Sequence, residues 1–87
     1  MSRKTRIETL LADAFVPSEL TVTDDSARHA GHAGAGPEGE THFNVTIHSI
    51  AFIGLSRVAM QRAVMDALKP EFDSGLHALS IKASPPH

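Results

Sequence analysis

The sequence predicts an α+β domain in which helices cover one face of a three-stranded mixed sheet. Three observations predict it: apolar residues at helical spacing in two segments, three short stretches of alternating apolar and polar residues, and glycine or proline between them. The predicted order is helix, strand, strand, helix, helical turn, strand. Two strands joined by a loop pair antiparallel, and a strand that returns through a helix can lie parallel to its neighbour. We expect residues 1–87 to form one domain.

The first helix is predicted from Ser2, a candidate cap, to Phe15, because Pro17 stops it. Its apolar residues recur at helical spacing and are Ile7, Leu10, Leu11, Ala14 and Phe15. Residues 20–24 alternate with β-branched side chains, which predicts a short strand. Residues 25–40 are rich in glycine, contain one proline and no other apolar side chain larger than alanine, and hold His29 and His32. This composition predicts a long mobile loop, and such loops are commonly functional.

The second strand is predicted over residues 42–48. Phe43, Val45 and Ile47 point to the core, and the opposite face carries His42, Asn44, Thr46 and His48. Phe52 is a further core candidate, in a turn that ends at Gly54. His42 is expected to be an exposed or hydrogen-bonded strand residue that could support a ligand rather than act as one.

The second helix is predicted from a cap at Ser56 to about Leu68, with Pro70 ending it. Its apolar surface is assigned to Val58, Val64, Met65, Ala67 and Leu68. Residues 71–74 form a helical turn that Gly75 terminates. The last strand covers residues 76–83 and residues 84–87 are a tail. We expect two alternating sets in that strand, His77, Leu79 and Ile81 on one face and Leu76, Ala78 and Ser80 on the other.

The composition restricts the chemistry. The chain has no cysteine, so disulfides and all-thiolate metal sites within it are excluded, but it has six histidines. A net charge of −2 and the absence of tyrosine and tryptophan disfavour nonspecific nucleic-acid binding. No apolar run is long enough to span a membrane, and no secretory signal is visible, so a cytoplasmic protein is expected. We find no pairing of a nucleophile with a base and predict that the chain is not an enzyme.

Four segments together resemble the BolA-like family, over about residues 7–83. They are Ser26-x-x-His29 opening the glycine-rich loop, Thr41-His42-Phe43 at the second strand, Phe52-x-Gly54 before a helix containing Arg62, and Gly75-Leu76-His77-Ala78-Leu79 at the last strand. The resemblance implies an αββααβ fold with the arrangement of a class II KH domain. One departure is Met60-Gln61-Arg62, where many relatives carry Arg-His-Arg, so a positive charge is lost.

The resemblance also implies a function: such proteins bind monothiol glutaredoxins and share a [2Fe–2S] cluster. The glutaredoxin provides its cysteine and a glutathione thiol, and the BolA-like partner provides two side chains. By position these are His77 and His29, with His32 as the alternative. Imidazole suits iron, and replacing two thiolates by two histidines removes negative charge and raises the reduction potential of a cluster. Two ligands cannot hold a cluster unaided, so a partner is required.

Two other interpretations stay open. A KH-like fold and the transcriptional role of some relatives predict a nucleic-acid-binding regulator, whose DNA binding would depend steeply on salt. Alternatively, His29, His32 and His77 could hold a mononuclear zinc ion, which predicts stoichiometric zinc without any partner. The sequence does not decide whether the isolated chain forms a homodimer.

Overall fold

The computed structural model describes residues 2–24 and 42–86. In chain order these form helix α1 (Arg3–Phe15), strands β1 (Glu19–Asp24) and β2 (His42–His48), a 3₁₀ helix (Ile50–Phe52), helices α2 (Arg57–Ala67) and α3 (Lys69–Asp73), and strand β3 (Ala78–Ser84). The predicted α+β class and order of elements are confirmed. No helix in the described ranges is long and apolar enough to cross a membrane.

The sheet has the order β1-β2-β3. β1 pairs antiparallel with β2, with Val22 opposite Val45, and β2 pairs parallel with β3, with Val45 opposite Ile81. The parallel pair requires a crossover connection, which α2 and α3 provide. Because paired residues point to the same face, register places the apolar residues of all three strands together.

The core lies between the helices and this apolar face of the sheet. Buried side chains come from α1, β1, β2, the 3₁₀ helix, α2 and the segments that flank α3, and they include both predicted phenylalanines. They are Ile7, Leu11, Val22, Phe43, Val45, Ile47, Phe52, Val64, Leu68 and Leu76. Burying a side chain of this size contributes about 1.5–3 kcal/mol to the free energy of folding. These residues therefore supply most of the hydrophobic stabilisation between the helices and the sheet.

The ends of α1 follow from local chemistry. The Ser2 hydroxyl accepts a hydrogen bond from the Thr5 backbone N–H at 3.2 Å, which confirms the predicted cap. At the other end Val16 adopts a left-handed conformation, and its N–H donates to the Ala12 carbonyl at 3.0 Å. Of the predicted apolar stripe, Ala14 is exposed and the other four residues pack into or against the core.

Helix α2 has the predicted cap, but its predicted apolar surface was partly wrong. Val58 and Met65 are exposed, at 57% and 47%. The residues that face the core lie three and four positions apart and are Met60, Ala63, Val64, Ala67 and Leu68. Val58 and Met65 fall outside that stripe because a helix advances about 100° per residue.

The start of β3 also differs from the prediction. His77 was expected to share a face with Leu79 and Ile81, but it precedes the strand and is exposed, whereas Leu76 is buried. Gly75 adopts a φ of 126°, and the Leu76 N–H donates to the Glu71 carbonyl at 2.9 Å. This turn directs Leu76 into the core before the strand begins, so the alternation of β3 does not extend back to His77.

Candidate functional site

His77 lies at one end of the sheet, immediately before the first residue of β3. The turn at Gly75 and the burial of Leu76 hold the backbone before it, β3 begins directly after it, and its own side chain is exposed. An exposed imidazole on a fixed backbone can meet a ligand from outside the chain at little structural cost. Of the three predicted ligands, His77 is the one that the structure describes.

His42 lies beside His77. It is the first residue of β2, it pairs with Ala78 in the parallel register, and it is half-buried. The centroids of the two imidazole rings are 6.5 Å apart, and their planes are inclined by 28°. The sheet therefore brings two histidines from distant parts of the chain to the same end.

The two other predicted ligands, His29 and His32, lie outside the described residues. The described residues that flank their segment do locate its attachment points. Asp24 ends β1, His42 begins β2, and Asp24 pairs with Phe43. Segment 25–41 therefore leaves the sheet and returns to it at the end where His77 lies.

The chemistry available at this end is that of imidazole, a borderline ligand that suits iron, zinc and copper. Within residues 2–24 and 42–86, no group of three or more histidine, cysteine or acidic side chains is placed to hold a metal ion. A metal at this end would therefore need ligands beyond His77 and His42. The predicted zinc site depends on His29 and His32 and stays a prediction.

The opposite end of the sheet holds a polar cluster that sequence reasoning missed. Glu19, His48 and Ser84 occupy neighbouring register positions on the three strands. With its hydrogen on Nε2, the His48 ring donates to Glu19 Oε2 at 3.0 Å, and the Ser84 hydroxyl donates to His48 Nδ1 at 2.7 Å. The sequence did not predict this hydrogen bond between Ser84 and His48. Because the hydroxyl and imidazole are 36 positions apart, only the strand register reveals the pair.

This cluster has a structural consequence. Each of its three side chains sits on a different strand, so its hydrogen bonds join β1, β2 and β3 where β3 ends. With its hydrogen on Nε2, the ring makes no hydrogen bond to the Pro85 carbonyl, which lies 3.4 Å from Nδ1. Elsewhere on the polar surface, Arg57 and Arg62 of α2 are exposed, as expected for a solvated helix face.

Comparisons with known proteins give one consistent result. A model of the family described as BolA-like protein matches residues 11–87. A Sinorhizobium relative, described as an uncharacterized protein in the cobS 5′ region, is 48% identical over 87 residues, which cover 99% of this chain and 94% of the relative. A Vibrio cholerae relative, described as DNA-binding transcriptional regulator BolA, is 40% identical over 75 residues, 86% of this chain and 67% of the relative.

The solved structures agree with the sequence comparison. The BolA domain of SufE1 from Arabidopsis thaliana matches with a TM-score of 0.87 and 49% identity, over 99% of this chain and 94% of that one. BolA1 from Arabidopsis thaliana matches with the same TM-score and 43% identity, again over 99% of this chain and 94% of that one. Fold and sequence similarity therefore extend over almost the whole chain.

Proposed function

The chain belongs to the BolA-like family, and from this premise we propose that it is an adaptor rather than an enzyme. It binds a monothiol glutaredoxin, and the two proteins share a [2Fe–2S] cluster during cluster trafficking or iron regulation. This chain provides His77 and a histidine of segment 25–41, with His29 as the first choice and His32 as the alternative. The glutaredoxin cysteine and a glutathione thiol provide the other ligands.

One observation supports this proposal most directly: an exposed histidine lies at the end of the sheet where a histidine-bearing segment is attached. Both attachment points of segment 25–41, Asp24 and His42, are at that end, and His77 is beside them. The opposite arrangement, with His77 at the far end of β3, would have separated the proposed ligands by the length of the sheet.

The donor set fits a shared cluster better than a site within this chain alone. The chain contains no cysteine, so any thiolate must come from a partner. Imidazoles supply neutral ligands, and a cluster with mixed histidine and thiolate ligation has a higher reduction potential than one with thiolates alone. His77 is exposed, so a partner can approach it without unfolding any described element.

The test is to co-purify the chain with a monothiol glutaredoxin and glutathione, and to record visible absorption, circular dichroism and electron paramagnetic resonance. The wild-type pair should show a mixed-ligand cluster spectrum that differs from that of the glutaredoxin alone. His77→Ala should remove that difference. Of His29→Ala and His32→Ala, the one that changes the spectrum identifies the second ligand.

The matched control is His48→Ala, which removes a histidine at the opposite end of the sheet. With its fold checked by far-ultraviolet circular dichroism, this variant should keep the mixed-ligand spectrum. The ligand assignment is wrong if His77→Ala leaves the spectrum unchanged, or if His48→Ala alters it as much as His77→Ala does.

A second candidate function, DNA binding by a transcriptional regulator, is favoured by the description of the Vibrio cholerae relative. In this chain the exposed Arg57 and Arg62 of α2 are cations that could contact phosphates. Binding of a DNA duplex should then weaken steeply as salt increases, because bound cations displace counterions from DNA. Absence of binding near physiological salt would exclude this function.

A further inference from the structure

A groove separate from His77 runs between helix α2 and strand β3. Its volume is about 330 Å³, and we call it the α2–β3 groove. Its polar lining consists of Arg57 and Gln61 from α2, Lys82 and Ser84 from β3, and Thr46 and His48 from β2. The volume falls at the lower end of the range of about 300–1,000 Å³ that is typical of small-molecule sites.

The described charged side chains that line the α2–β3 groove are all positive. Arg57 and Lys82 both line it, and among the lining residues that the structure describes none is acidic. Neither cation forms an ion pair within the described part of the chain. An anion that enters the groove would therefore meet positive charge from both α2 and β3.

The remaining polar groups show which donors are available. Ser84 and His48 are hydrogen-bonded to each other at 2.7 Å, and His48 Nε2 lies 3.0 Å from Glu19 Oε2, so these two side chains already have partners within the sheet. The Gln61 amide lies one helical turn after Arg57, on the same side of α2. The groove therefore offers the N–H groups of a guanidinium, an ammonium and an amide as donors, together with the Thr46 hydroxyl.

We propose that the α2–β3 groove binds the phosphate group of a small phosphorylated molecule, with Arg57 and Lys82 as its charge partners and Gln61 as a further donor. A phosphate monoester carries a charge of about −1.5 to −2 at pH 7, which matches two cations, whereas a carboxylate would neutralise only one. The guanidinium fork also suits two oxygens of one phosphate.

A small molecule fits these observations better than a nucleic acid. Nonspecific binding to DNA needs a larger cluster of lysine and arginine than this groove provides, and the whole chain carries a net charge of −2. Two residues in the described lining of the groove carry a positive charge, Arg57 and Lys82, and two cations suit one phosphate group better than a row of phosphates. This inference does not depend on the cluster proposal, because no residue of the groove is a proposed cluster ligand.

The experiment is a titration of the isotope-labelled full chain, followed by two-dimensional amide NMR at constant ionic strength. The probes are adenosine monophosphate and, as the matched ligand without a phosphate, adenosine. Adenosine monophosphate should give saturable shifts at residues around the groove and leave the amides of His42 and His77 unmoved. Adenosine should give no saturable shift. Equal responses to both ligands would overturn the proposal.

Charge-reversal variants locate the site. Arg57→Glu and Lys82→Glu should each weaken the affinity for adenosine monophosphate at least about tenfold, which corresponds to about 1.4 kcal/mol. Arg62→Glu is the control, because Arg62 is an exposed cation of the same helix that does not line the groove. The proposal fails if Arg62→Glu weakens binding as much as Arg57→Glu. It also fails if a short DNA duplex shifts the groove amides while adenosine monophosphate does not.

Discussion

Val16 combines a left-handed backbone with a β-branched side chain. It is the one non-glycine residue with positive φ in the described ranges, at φ 45°, and it is 80% exposed. Residues at this position of a helix C-terminus are usually glycine, because a Cβ atom crowds the neighbouring carbonyl there. Val16→Gly should therefore stabilise the domain by about 1 kcal/mol, which raises the Tm of a domain of this size by about 4–8 °C.

The comparison variant for this prediction is Val16→Ala. Alanine removes the branch but keeps the Cβ, so its gain should be smaller than that of glycine. Thermal unfolding of the wild type and both variants checks the prediction. The melting temperature should be highest for Val16→Gly, intermediate for Val16→Ala and lowest for the wild type. Equal melting temperatures for valine and glycine would show that the left-handed backbone at Val16 carries no cost.

Ser49 is a buried polar residue that connects two distant parts of the chain. Its hydroxyl donates to the Phe15 carbonyl at 2.6 Å, at the end of α1, and accepts from the Ala51 N–H at 3.1 Å. Ser49→Ala leaves both part-buried backbone groups without this partner, so we expect a loss of about 1–3 kcal/mol in the free energy of unfolding.

Ser18→Ala is the matched substitution for Ser49→Ala. The Ser18 hydroxyl donates to the His48 carbonyl at 3.2 Å from an exposed position, where water can replace it. Its removal should change the free energy of unfolding by less than about 0.5 kcal/mol. Urea unfolding distinguishes the two cases, and similar losses for both variants would contradict the role assigned to Ser49.

Single residues also show where sequence reasoning succeeds. Phe43 and Phe52 were predicted to be core residues, and both are buried. Ser49 and Glu71 were not recognised, since nothing in their neighbourhood marks a polar residue as buried. Their partners are 34 and more positions away, so the contacts exist only in the folded chain.

Among the elements, α1 and α3 are joined by a buried carboxylate. Glu71 accepts from Arg3 Nη1 at 3.0 Å and from Arg6 Nε at 3.1 Å, and its side chain is only 6% exposed. Glu71→Ala would leave two guanidinium groups near the core without their anion. Since Arg6 is 39% exposed and keeps water, we expect a loss near the lower end of the usual range, about 3 kcal/mol.

Helix α3 also contains the control for the Glu71→Ala substitution. Lys69 and Asp73 form an exposed ion pair at 3.1 Å, and such pairs contribute at most about 1 kcal/mol. Asp73→Ala should therefore cost far less than Glu71→Ala in urea unfolding. A double-mutant cycle of Arg3→Ala with Glu71→Ala should show a positive coupling, and additive losses would mean that the two residues do not stabilise each other.

The positions of the helices and strands were predicted more accurately than the side of each that faces the core. The start of α2 followed from the cap at Ser56, but Pro70 does not end it, because Lys69 and Pro70 already belong to α3. The assignment of Val58 and Met65 to the core side of α2 was wrong. Apolar residues on both sides of a helix leave its orientation ambiguous until packing selects one stripe. The same limit applies to His77, because its exposure depends on how α3 and Gly75 deliver the chain to β3.

At the scale of the whole molecule, the parallel strands β2 and β3 carry two kinds of chemistry at opposite ends. His42 and His77 lie where both strands begin, and His48 and Ser84 lie where both strands end. Six residues of strand separate these ends, which corresponds to about 20 Å. Between them the apolar face is packed against helices, and the polar face is formed by short side chains such as Asn44 and Ser80.

This separation predicts that the two proposed sites act independently, because substitutions more than about 7–10 Å apart without shared partners usually have additive effects. His77→Ala should change the spectrum of the shared cluster and leave the affinity for adenosine monophosphate within about twofold of wild type. Arg57→Glu should weaken the binding of adenosine monophosphate and leave the spectrum of the shared cluster unchanged. Measuring both readouts on both variants distinguishes failure of the cluster proposal from failure of the groove proposal. If Arg57→Glu changes the cluster spectrum of a correctly folded complex, the sheet transmits an effect along its length, and the two ends are one coupled site.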